Sequence, residues 1–254
     1  MFNRRSIFFY MRQVTGLIFL TVLLTNISLS SPTDYSVFEP GIRNGRGRAQ
    51  LNATQKNAVA KALLSKTGFS SIHFDETGWL RFAPNLGSGS ETAQQLVFDA
   101  FRGQQVIELY SRERSSEVAF ARMITSQIFE SGRTGAQITI YHLEIDFSDF
   151  GYLNGDREAR AAFDLGFILL HELTHIIRQI YDNNGSQTSP GDCADYINRI
   201  RQDLGLPLRN HYFPETRKLA RDVGTVYIAR LSFSYSSKKR YSVFWDALKV
   251  GNIK

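Results

Sequence analysis

The chain has 254 residues, 43% of them apolar and 13% aromatic, with a formal net charge of +6. That length permits one sizeable domain or two small ones, and the apolar share excludes a disordered chain. Arg4, Arg5 and Arg12 all precede the first acidic residue, Asp34; without them the net charge falls to +3, too mild for a nucleic-acid binder.

Residues 1–30 read as a secretory signal peptide. Three arginines come first, then an apolar run from Val14 to Leu29, then Ser28, Ser30 and Ser31 ahead of Pro32. The rival reading is an uncleaved anchor, but the run is short of the ~20 residues of a spanning helix, and Thr and Asn interrupt it. The expected location is therefore secreted or periplasmic, without stable membrane association once the signal is cleaved. Cys193 is the only cysteine, so no intramolecular disulfide forms.

Residues 31–50 are rich in Gly, Pro and Arg and read as a linker or mobile N-terminal segment, leaving 51–254 as the domain. The pattern over 53–66 is helical, with Gly68 as its stop. Strands at 71–74 and 79–82 follow, joined through Asp75-Glu-Thr-Gly78 as a hairpin, then a helix from Ser90 to Arg102. Residues 105–111, 117–124 and 136–147 read as strands. The last changes its apolar side near Tyr141, which predicts a bulge or burial on both faces. Asp156 is a good cap for one long helix reaching about Tyr181, stopped by Asp182-Asn-Asn-Gly185. Ser189 and Pro190 open another helix that ends at Gly205. Segments 225–236 and 240–248 form a terminal hairpin. Helices and strands come in blocks, so the expected class is α+β with a mixed or antiparallel sheet.

The long helix carries His171-Glu-Leu-Thr-His175. Residues i and i+4 share a helical face, so the two imidazoles can hold one metal ion, with Glu172 beside them as a base for a metal-bound water. The bland alternative is a self-satisfied His-Glu-His cluster in a core helix. A catalytic zinc needs a third protein ligand and an open position. The extended motif with Gly at 178 and His at 181 is excluded by Arg178 and Tyr181. Asp192 and Asp195, one turn apart on the following helix, are the candidate ligands, with His211 in reserve. Cys193 shares a stripe with Ile197, Ile200 and Leu204 and reads as a buried small hydrophobe rather than a ligand. His73 and His142 read as packed strand residues.

The segment 145–212 resembles the effector-type zinc metallopeptidases of bacteria. The likeness rests on His171-Glu-Leu-Thr-His175, Asn198, Arg201, Gly205-Leu-Pro207, Arg209 and Tyr212. Ile197 stands where that family carries Glu. The resemblance implies a zincin-like fold, a sheet packed on the long motif helix with a second ligand-bearing helix. The expected function is a secreted zinc metallopeptidase acting on a protein or peptide. Zinc sits on His171, His175 and Asp192, with Asp195 beside them, Glu172 is the general base, and Tyr212 is a candidate for stabilising the oxyanion. The alternative from another class is an exported, non-catalytic binding domain stabilised by zinc.

Overall fold

A computed structural model of the chain describes residues 39–85, 87–130, 135, 137–183, 185–186, 188–221, 224–236 and 239–251. The expected signal peptide lies outside them. The first half runs β1 (Gly41–Asn44), α1 (Ala53–Thr67), β2 (Ser71–Phe74), β3 (Leu80–Ala83), α2 (Glu91–Arg102), β4 (Gln105–Arg112), β5 (Ala121–Glu130) and β6 (Gln137–Asp146). The second runs β7 (Asn154–Gly155), α3 (Arg157–Ala161), α4 (Leu165–Arg178), α5 (Asp192–Asp203), β8 (Leu208–Arg209), β9 (Glu215–Arg221), β10 (Gly224–Ser236) and β11 (Lys239–Asp246). The class is α+β, as expected.

Local chemistry accounts for the boundaries. Asn52 and Gln55 form a reciprocal capping box at the start of α1, and Gly68 closes it in the left-handed conformation. The Ser90 hydroxyl caps α2. A mixed sheet has the order β1-β4-β6-β5, with β1 and β6 parallel to β4 and β5 antiparallel at the edge. Its inner strands are buried through Val106, Ile107, Leu143 and Ile145, the continuous apolar run that parallel strands need. The main core joins this sheet to α1, α2, α4 and α5. A Cβ at Gly166 would come within 2.8 Å of the Ala62 carbonyl oxygen, so glycine there lets α4 lie close on α1. A second sheet, β7-β11-β10-β8 with β9 on β10, builds a second core around Phe163, Phe233 and Trp245.

Three expectations change. The described part of the segment read as a linker, residues 39–50, enters the fold, while 31–38 lie outside the described residues: β1 pairs with β4, Ile42 is buried, and Arg43 makes a buried ion pair with Glu108. The long helix is two, because Asp164 interrupts it and caps α4 by accepting the Phe167 N–H at 3.1 Å. The expected burial on both faces holds in β6, where Leu143, Glu144, Ile145 and Asp146 are all buried, while its partner β5 carries a bulge at Ile124, opposite the β6 pair His142–Leu143. The helix after the motif begins at Asp192 with Gly191 as its cap, not at Ser189. No helix among the described residues is long and apolar enough to cross a membrane.

Candidate metal centre

The motif histidines project from the last two turns of α4, and the chain turns sharply just beyond them. Gln179 takes the left-handed conformation (φ 53°, ψ 32°) and ends the helix. That turn brings Asp182 back against both imidazoles. Nε2 of His171 and Nε2 of His175 are 3.1 Å apart, and the Asp182 carboxylate oxygens lie 3.4 Å and 3.2 Å from them. A tetrahedral zinc with bonds of ~2.0–2.2 Å holds its ligands ~3.3 Å apart. The two nitrogens stand at that spacing from each other, and each stands at it from one oxygen of Asp182, Oδ1 for His171 and Oδ2 for His175, so the carboxylate can share an ion with both rings.

The remaining ring nitrogens fix the tautomers. Nδ1 of His175 donates to the Ile180 carbonyl at 2.7 Å, and Nδ1 of His171 meets the Cys193 sulfur at 3.4 Å. With each Nδ1 engaged, Nε2 is the ring atom that faces the other donors, and a metal bound there would displace the proton that Asp182 holds on His175. Burial lowers the His171 pKa and keeps that ring neutral. Burial also opposes charge on His175, but Asp182, Cys193 and the Ile180 carbonyl outweigh it and raise its pKa to about 11. Against its own burial, Asp182 is held well below the usual carboxylate range by the two imidazoles. It is the anion of the cluster.

Glu172 occupies the same wall. Burial pushes its pKa up to about 7, and the Met123 N–H of β5, at the bulge, bonds to its carboxylate. The geometry puts a base that titrates near neutrality beside the ligand cluster. Tyr212 lies across Asp182; burial and that carboxylate raise its pKa, so the phenol keeps its proton. His171, Glu172, Asp182 and Tyr212 line one pocket of about 250 Å³ with Arg201, Arg209 and the aromatic rings of Phe120, Phe163, Phe167 and Trp245.

Asp192 and Asp195 are not in the cluster. Helix α5 packs on α4 through Cys193, Ala194, Ile197 and Ile200, which turns both carboxylates outward, exposed and beside Tyr181 and Arg199. Cys193 is buried, as expected, yet its sulfur lies within 4.8 Å of the donor atoms of His171, His175 and Asp182. His211 is also buried elsewhere, its Nδ1 on the Phe213 carbonyl at 2.7 Å. His142 packs edge-on against Tyr110 and lies 3.3 Å from Glu108. Sequence reasoning missed Asp182 because Asp-Asn-Asn-Gly reads as a helix stop. Compared with known proteins, the chain matches no family model, no curated protein and no solved structure.

Proposed function

We propose that the protein is an exported zinc-dependent peptidase, zincin-like in the arrangement of its motif helix, with His171, His175 and Asp182 as the metal ligands. The convergence of those three donors beside Glu172 carries the reading; the resemblance to effector-type zinc metallopeptidases over 145–212 adds to it, and the export rests on residues 1–30. Bound there, zinc supplies a water acidified toward pKa ~7 and polarises the scissile carbonyl. Glu172 takes the proton of the attacking water and returns it to the leaving amine. The Tyr212 phenol, protonated and facing the same pocket, offers a hydrogen bond to the developing oxyanion. Cys193 and the Ile180 carbonyl hold the imidazoles in the ligating tautomer.

The test is metal content and hydrolysis of a peptide pool by the purified protein and its Glu172→Gln variant. The expected result is one zinc per chain in both, with turnover reduced ~10²–10⁴-fold in the variant. Zinc-free wild-type protein, or a variant with wild-type turnover, would sink the reading.

A second reading has one observation in its favour. If the Cys193 sulfur were a fourth ligand, the site would be closed and structural. The sulfur lies 3.4 Å from Nδ1 of His171, not from the Nε2 that faces Asp182, and 3.7 Å from the His171 carbonyl, which supports a brace over a ligand.

A further inference from the structure

Arg201 and Arg209 are the two charges in this pocket that the proposed chemistry leaves unused. Arg201 is 3% exposed and lies over the rings of Phe167 and Phe233 at 4.7 Å and 5.5 Å. Its Nε donates to the Ala162 carbonyl and one Nη to the Asn198 amide oxygen, each at 2.9 Å. Among the described residues no acceptor takes a proton from the other Nη. Arg209 donates to the carbonyls of His211 and Tyr212 and lies over the Tyr212 ring at 5.2 Å. All these acceptors are neutral, and among the described residues no carboxylate pairs with either guanidinium. Burial lowers their pKa values to about 9 and about 10, and both stay charged at neutral pH.

Burying an unpaired cation is costly, and two at one cavity compound the cost. Asp182 is engaged by the imidazoles, and a zinc ion would add further positive charge. Asp164 and Asp182 act on these guanidiniums only through space, being bonded to Lys66 and to the imidazoles, so an anion entering the cavity would be the first charged group to pair with them directly. The walls limit what that ligand is: Phe163 stacks parallel to Trp245 at 5.9 Å, and about 250 Å³ lies below the range of drug-sized sites, enough for one residue's side chain. A planar guanidinium matches a carboxylate.

We propose that this cavity binds a substrate carboxylate on Arg201 and Arg209, so that the enzyme selects peptides with a carboxylate next to the scissile bond. The carboxylate is either an Asp or Glu side chain or the C-terminal group. The selectivity rests on the peptidase reading; the anion site itself does not.

Two measurements separate the two. The first uses the full chain stripped of metal and compares binding of 3-phenylpropionate with 3-phenylpropanamide by calorimetry. At least ~10-fold tighter binding of the acid is expected, with the preference lost in Arg201→Met and reduced in Arg201→Lys. Should those variants fail to fold, the wild-type comparison still decides. Equal binding of acid and amide overturns the proposal, as does inorganic phosphate displacing the acid more strongly than acetate does. The second compares kcat/KM on peptides with a free or amidated C-terminus and with internal Glu or Gln. A preference of ~100-fold for one of the carboxylates is expected, and the preferred arm identifies its source. Cleavage indifferent to all four overturns the proposed substrate selectivity and leaves the peptidase reading standing. Acid-selective binding without any hydrolysis supports the anion site and removes the peptidase.

Discussion

The sulfur of Cys193 lies 3.4 Å from Nδ1 of His171, so the chain's single thiol braces the imidazole nitrogen that faces away from Asp182. A brace and a ligand differ in what their loss costs. Cys193→Ser is expected to weaken zinc binding ~10–100-fold, the usual effect of removing a partner of a ligating histidine. Competition with a chelator measures this. A thiolate-to-metal charge-transfer band in the cobalt(II)-substituted wild-type protein would show the sulfur to be a ligand instead.

Asp182 stands with the two imidazoles as the third donor of the proposed site, and the aspartates of α5 lie exposed outside it. Asp182→Asn should lower zinc affinity at least ~100-fold, while Asp192→Asn and Asp195→Asn stay at the wild-type value. The same chelator titration ranks all three. Equal losses at 182 and 192 would contradict the geometry.

Gln179 holds the turn that delivers Asp182, with a left-handed backbone unusual for a residue with a Cβ. Gln179→Gly is expected to keep stability within about 1 kcal/mol of wild type and to retain zinc, because relieved backbone strain offsets the entropy of glycine. Gln179→Val, β-branched, should lose stability and metal together. Urea unfolding and metal content check both. A valine variant with intact zinc binding would show that the turn does not need this conformation.

Asp149 gives a pH dependence. Its side chain is fully buried, one oxygen accepts the Phe120 N–H at 2.8 Å, and the other has no partner among the described residues. Burial, with Asp146 nearby, raises its pKa from 3.8 to about 6. A carboxyl whose pKa is raised on folding stabilises least when ionised, so the contribution of Asp149 to stability is fully present below pH ~4 and is lost as pH rises through about 6. The loss reaches up to about 3 kcal/mol. Asp149→Asn lacks it. Between pH 4 and pH 7 the difference in unfolding free energy should move toward the variant by that amount; a constant difference refutes the assignment. Phe120, held by Asp149 in a left-handed conformation, is also a wall of the pocket, so the variant reports on that wall as well.

How far these features could be read from the residues depended on the range of the interactions. The strands over 105–112 and 137–146 and the terminal hairpin follow from local periodicity and turns and appear nearly where expected, whereas the motif helix is shorter than its periodicity implies because Asp164 caps it anew. Residues 41–44 carry a single large apolar side chain, Ile42, and become a strand only through pairing with β4, some sixty residues later. The two donors on one helical face are a matter of spacing. The third depends on the backbone of Gln179, which its side-chain type does not announce. Asp192 and Asp195 attracted attention as carboxylates on a second helix. The apolar stripe Cys193–Ile197–Ile200 already implied that they face away.

The three donors come from the short segment between His171 and Asp182, all on α4 and the turn after it. An ion held there cinches one stretch of chain to itself and stitches no distant elements together. The main core of α1, α2, α4, α5 and the mixed sheet closes without it. On the proposed zinc reading, folding and metallation would be uncoupled: the polypeptide would reach its architecture in a zinc-poor compartment and be switched on wherever the ion is first met.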